Sequence, residues 1–363
     1  MAKTILNKGA QYIQHGDNVL TLLNAQSNTS FISKCSIKLA AMGGVTTRGP
    51  WHNTNPMELS TFNDTTTRLK VRLHGGFGFQ SGGFTGVRVG DTNRFDDIAN
   101  NWTARTAITA RANAAGTSLN GFGITSGGDN GVTLSNVDRL NDAINVQTAR
   151  TGITARTLIA PFTINGFSFT EGGSTTVGNG GSVGTNEKFD DVANTQTGRT
   201  NITARWGVGG FGLNNFGFSS CGQNAAGTIL GTTERFDDTA NTQTGRTSDP
   251  TPRFEVAGWS MNGFGFITCS SASSGLTERF DDIANNWTTR TANPNGAAVP
   301  GTFSLNGFGF KFGGYTGIAL SSADRFDDIA NTWTSRTNVP IGVGFVYGYA
   351  TNEYFVNYVT TDA

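Results

Sequence analysis

RFDDIANTWTSRT (325–337), together with SLNGFGFKFGG (304–314) just before it, is the stretch whose reading decides the fold. The first phrase recurs as RFDDIANNWTART (94–106), KFDDVANTQTGRT (188–200), RFDDTANTQTGRT (235–247) and RFDDIANNWTTRT (279–291). RLNDAINVQTART (139–151) is a diverged copy. The aromatic or Leu of the phrase falls at 95, 140, 189, 236, 280 and 326, in steps of 45, 49, 47, 44 and 46 residues. The second phrase is locked to the first, as SLNGFGITSGG (118–128), TINGFSFTEGG (163–173), GLNNFGFSSCG (212–222) and SMNGFGFITCS (260–270). Asn-Gly between two apolar runs signals a two-residue hairpin, because both turn positions need positive φ.

One unit then reads as four strands. GTFSL (301–305) is strand A, FGFKFGG (308–314) strand B, ADRF (323–326) lies on strand C and TWTSRT (332–337) on strand D. The Asp-Asp-x-x-Asn segment joins C to D as a side-chain-capped turn. A lone four-stranded sheet cannot bury both faces, so neighbouring units must stack. A period near 45 residues belongs to propeller blades. The expected fold is therefore all-β, a β-propeller of four-stranded antiparallel blades. In strand B, Phe-Gly-Phe suits an interblade layer, with Phe filling it and Gly admitting a close backbone.

Hairpins at His74-Gly75, Asn120, Asn165, Asn214, Asn262, Asn306 and Asn352 give a count of seven blades. The step from Phe62 to Phe77 is only 15 residues, short by one strand, which makes six blades the alternative. The C-terminal hairpin GFVYGYATNEYFVNYV (344–359) is expected to close the ring by sharing a blade with an N-terminal strand in ELSTFND (58–64). Residues 1–57 fall outside the repeat and read as an arm or extension that anchors the protein or contacts other subunits. Residues 58–363 form the propeller.

The order Gly-Gly, aromatic-Asp, Trp resembles the kelch repeat over about residues 58–363. The matching positions are Gly82-Gly83, Phe95 and Trp102; Gly127-Gly128, Leu140 and Gln147; Gly172-Gly173, Phe189 and Gln196. They continue as Cys221-Gly222, Phe236 and Gln243; Cys269-Ser270, Phe280 and Trp287; Gly313-Gly314, Phe326 and Trp333. Phe or Leu stands where that family has Tyr, and Gln replaces Trp in three consecutive blades. The resemblance implies a binding scaffold.

Composition narrows the function. Formal net charge is zero, so no global field draws the chain to nucleic acid or to an anionic membrane. No run of ~18 apolar residues predicts a membrane span. The start, MAKTILNKGAQYIQHGDNVLTLLN, lacks the apolar run of a signal peptide. Four of the seven lysines precede residue 51, which marks the beginning as a different kind of segment. Cys35, Cys221 and Cys269 are too few and too scattered for a disulfide framework or a Cys-x-x-Cys metal site. The only histidines are His15, His52 and His74, outside the regular blades or at their entrance. No cofactor or metal is expected: the Asp pairs lack the spacing of a calcium loop and read as turn caps and Arg partners. The Arg of Thr-x-Arg-Thr is expected to bond those carboxylates or backbone carbonyls between blades.

From the Gly-Gly position to the C-strand aromatic, the step varies as 12, 12, 16, 14, 10 and 12 residues, while the A–B and C–D turns barely change. Varying length on a fixed scaffold marks the B–C face as the interaction surface. Its candidate residues are Thr85, Arg88, Asp129, Asn130, Thr175, Asn179, Ser182, Asn224, Ser271 and Tyr315. The favoured function is a non-enzymatic assembly or adhesion protein at a virion or particle surface: a phage tail, fibre or capsid-surface part. Its partners would be other protein subunits, reached through residues 1–57, or a glycan or receptor. The alternatives are a cytoplasmic kelch-type interaction scaffold and a carbohydrate-active enzyme on the channel face.

Overall fold

The computed structural model describes residues 76–177 and 180–351 in full. Beyond these it describes only the backbones of six strands: Tyr12–His15, Asn18–Leu23, Ser36–Ala40, Glu58–Leu59, Thr67–His74 and Phe355–Asp362. The chain divides into two compact units, Phe77–Thr351 and the pair Met1–Gly76 with Asn352–Ala363. In the latter, Asn18–Leu23 lies between Tyr12–His15 and Ser36–Ala40, and Thr67–His74 lies between Phe355–Asp362 and Glu58–Leu59.

Phe77–Thr351 is a propeller of six four-stranded antiparallel sheets. Blade 2 shows the pattern, with A Ala115–Leu119, B Phe122–Ser126, C Val137–Asn141 and D Val146–Arg150. Blades 3 to 6 repeat it over 160–199, 209–246, 257–290 and 301–336. Asn120, Asn165, Asn262 and Asn306 all take positive φ and are each followed by a positive-φ Gly, as the hairpin reading requires. In blade 4 the pair Asn214-Asn215 does the same with φ of 53° and 65°.

The expectation of seven blades is corrected to its alternative, six. Blade 1 takes strands B to D from Phe77–Phe84, Arg88–Asp96 and Asn101–Arg105, and strand A from the far end of the chain, Tyr347–Thr351. The register runs from Tyr347↔Ser81 to Thr351↔Phe77. Thr67–His74, counted as the strand A that a hairpin at His74-Gly75 would join to Phe77–Phe84, is therefore not part of blade 1. Thr67–His74 pairs with Phe355–Asp362 in a separate sheet, from Phe355↔His74 to Asp362↔Thr67. Only the first half of the C-terminal hairpin closes the ring, and it does so on Phe77–Phe84 rather than on 58–64. Its turn at Asn352 lies outside the described residues.

The core lies between blades. In blades 3 to 6 the A and B aromatics of one blade stack on each other and press on the C-strand Phe of the next. Phe162 and Phe169 are 5.2 Å apart and stacked, and Phe169 meets Phe236 at 5.5 Å. Phe303, Phe310 and Phe312 gather on Phe95 in the same way across the closure. Strand B must bring its backbone close to the preceding strand-A ring. A Cβ added at Gly217 would sit 2.1 Å from Phe162, at Gly265 2.1 Å from Phe211, and at Gly78 2.1 Å from Phe303. The exception proves the constraint. Where blade 3 carries Ser168 in place of Gly, blade 2 offers Thr117 in place of an aromatic, and the two hydroxyls bond at 2.6 Å.

Candidate functional site

The repeated polar residues are largely occupied in holding blades together. The first Asp of each pair caps its own C–D turn: Asp281 Oδ1 accepts from Ile283 N at 2.9 Å and Ala284 N at 3.0 Å. The second Asp reaches the preceding blade. Asp238 pairs with Arg199 at 2.7 Å and Lys188 at 2.8 Å, and Asp328 with Arg290 at 2.5 Å and Arg279 at 3.1 Å. Asp97 takes Arg336 and Arg325 across the closure, so the ring of latches is complete. These carboxylates are turn caps and Arg partners, as the sequence led one to expect.

Gln in strand D does the work of Trp. Trp102, Trp287 and Trp333 donate their indole N–H to the carbonyls of Thr337, Thr247 and Thr291, at 2.8–2.9 Å. Gln147, Gln196 and Gln243 donate to Thr106, Thr151 and Thr200 at 3.2–3.3 Å. The interblade bond survives while the aromatic area is lost.

The opposite end of the propeller, where the B–C and D–A connections open, has a different construction. Each D–A segment places one residue in the left-handed region: Asn113, Leu158, Gly207, Glu255, Val299 and Phe345. Their backbones bond head to tail. Leu158 N donates to Asn113 O, Gly207 N to Leu158 O, Glu255 N to Gly207 O and Val299 N to Glu255 O, at 2.9–3.1 Å. Asn113 N donates to Phe345 O at 2.9 Å, and Val346 N to Val299 O at 3.3 Å closes the circle. Bonds of this kind set neighbouring Cα atoms about 5 Å apart, so the collar is a narrow aperture on the propeller axis. Positive φ is ordinary for Gly and Asn but strained for Leu158 (57°), Glu255 (57°), Val299 (41°) and Phe345 (50°). Strain of this kind costs about 1–3 kcal/mol per residue and persists only where the surroundings enforce it.

Around the collar stand Tyr315, stacked on Phe345 at 5.0 Å, and Phe84, edge-on to Phe345 at 5.9 Å. Phe254 packs against Trp206 at 5.1 Å. The half-buried Glu255 has neither cation nor hydrogen-bond donor on its carboxylate among the described residues, and burial pushes its carboxyl above the usual range.

The B–C candidates separate into two groups. Asp129 is fully buried and takes Arg88, Asn113 Nδ2 at 2.9 Å and Thr157 Oγ1 at 3.3 Å, so it supports the collar from beneath. Tyr315 stands beside the collar, and Ser271 N bonds Phe254 O at 3.1 Å next to it. The others belong to the loops. Asn130 and Thr175 are exposed, and Thr85 and Ser182 are half-buried. Asn224 folds its own loop by accepting from Ala226 N and Thr228 N. Asn179 lies outside the described residues, as do Cys35 and the side chains of all three histidines. The collar itself was missed from sequence. Its six members share a conformation and no side-chain type, so no motif announces them.

Six blades closed on one another, with a strained collar at one mouth, define the class: an all-β propeller. No family model matches the chain, and no curated protein matches it. Among solved structures, one titled "Structure of YjhT" is similar, with a TM-score of 0.60 over 72% of this chain and 98% of that one. The two are 13% identical, and the likeness is one of fold.

Proposed function

We propose that this chain is a non-enzymatic, kelch-like binding propeller that serves as an assembly or adhesion part of a virion-type particle. The observation that carries this reading is the use made of the repeated charges. The paired Asp and Arg residues, which could have formed a catalytic constellation, are engaged in a sixfold set of interblade latches. A frame so cross-braced suits a part that bears load and displays loops.

A second feature supports the reading. The capped C–D turns hold aliphatic tips out at the other face: Val192, Ile283 and Ile329 are 84%, 91% and 85% exposed. Repetition of one outward apolar residue from blade to blade suits contact with a broad partner. The test is sedimentation of the native protein from its source. Recovery in a large particle, lost on deletion of residues 1–57, is the expected result. Recovery only as a free monomer overturns the reading.

A further inference from the structure

The propeller seats a cation in one way, six times over. Lys188 Nζ lies 3.6 Å from the centre of the Phe167 ring and bonds Asp238 at 2.8 Å. Arg94 lies over Phe77 and bonds Asp142, and Arg139 lies over Phe122 and bonds Asp191. Arg235, Arg279 and Arg325 sit over Phe216, Phe264 and Phe308 and reach Asp282, Asp328 and Asp97. An aromatic face supplies the quadrupole and a carboxylate the charge.

The collar holds the same two ingredients without the cation. Glu255 follows the half-buried Phe254, and its stem lies over Gly207, where an added Cβ would be 3.6 Å from Glu255 Cγ. Two steps further round the aperture stands Phe345, with Tyr315 stacked on it and Phe84 against its edge. Among the described residues, every other carboxylate that is not exposed has a cation or a hydrogen-bond donor. Withholding a partner from a half-buried carboxylate is costly unless a ligand supplies one. Glu255 is held in that place by a strained φ of 57° and by its backbone bonds to Gly207 and Val299.

We propose that the collar mouth is a binding site for an alkylammonium or guanidinium group, with Glu255 as its counter-ion and the surrounding aromatic side chains as its walls. Asn113, which stands opposite Glu255 in the collar, is already tied to Asp129 and contributes no charge. The group is small enough to come from a free amine or from the tip of a Lys or Arg side chain. The inference does not depend on the assembly reading, since binding to the isolated full chain is what matters.

The test is calorimetric titration of the full chain with two probes, n-butylammonium chloride and the peptide acetyl-Gly-Arg-Gly-amide. At least one is expected to bind at one site per chain, and Glu255→Gln to weaken it about tenfold or more. Glu255→Gly, which suits the left-handed backbone, serves as a second variant in case the first is poorly folded. Asp91→Asn, which removes an exposed carboxylate elsewhere, is expected to leave binding unchanged. Comparable binding of both probes assigns the site to small amines. Binding of the peptide alone assigns it to polypeptide side chains. The proposal is overturned if neither probe saturates, if both Glu255 variants bind as the parent does, or if n-butanol binds as well as n-butylammonium.

Discussion

Glu171 stands where the other blades have Ser81, Ser126, Ser220, Thr268 and Phe312, and it is wholly buried between blades 3 and 4. Ser219 Oγ donates to it at 2.5 Å and Gln243 Nε2 at 2.7 Å. Loss of water outweighs these donors and the nearby Arg205, and raises its carboxyl to about 7. The folded state therefore holds a proton that the unfolded chain releases above its ordinary value of 4.5. The contribution of Glu171 to stability is fully present below that value, is lost as pH rises through about 7, and is absent above it. Urea midpoints of the parent and of Glu171→Gln, measured from pH 4.5 to 8, are expected to converge or cross as pH rises, because the variant lacks this slope. Parallel curves would remove Glu171 as the cause. At the latches, Asp282→Ala strands Arg246 and Arg235, whose side chains are mostly but not fully covered. The expected loss is about 1–3 kcal/mol by denaturant unfolding, below the full cost of an unpaired buried charge because some solvent reaches the guanidinium groups.

Between blades, the contact of strand A of one sheet with strand B of the next is a lock with two natural solutions, aromatic on Gly or Thr on Ser. Gly217→Ser drives an Oγ-bearing Cβ into the ring of Phe162 and is expected to cost about 1–3 kcal/mol through overpacking. Combined with Phe162→Thr, it recreates the Thr117–Ser168 pairing. The double variant is then expected to lose less stability than the sum of the two single ones. A strictly additive cycle would mean that the two positions do not sense each other. This lock was half legible in the sequence. Phe-Gly-Phe gave the crowding away, and the Asn-Gly pairs located each hairpin, because both signals are local and chemical. The strand-A partners were hidden, since Tyr349, Phe162, Phe211, Trp259 and Phe303 share only bulk. The collar was hidden more deeply. Leu158, Val299 and Phe345 take a backbone conformation that their side chains disfavour, so propensity argues against what the ring imposes.

At the largest scale, the propeller is closed by Tyr347–Thr351, which completes blade 1 from the end of the propeller opposite to its other three strands. The seven-blade count failed here, because two ends that each looked like part of a blade turned out to supply one blade and a separate sheet. A chain stopped at residue 346 leaves Phe77–Phe84 as an open edge beside Phe79, which otherwise stacks on Tyr349 at 5.2 Å. Such a chain is expected to aggregate and to lose its single cooperative melting transition, whereas one stopped at 351 keeps both the transition and the far-ultraviolet circular dichroism of the propeller. A sharp melt from the shorter chain would mean that the ring does not need this strand. The order of the chain also dictates a timetable. During synthesis, five and three-quarter blades are made before the fastening segment, so the nascent ring stays unzipped at least until translation has passed Thr351. Factors that shield sheet edges have their longest opportunity, and misjoining between neighbouring nascent chains its greatest hazard, in that interval.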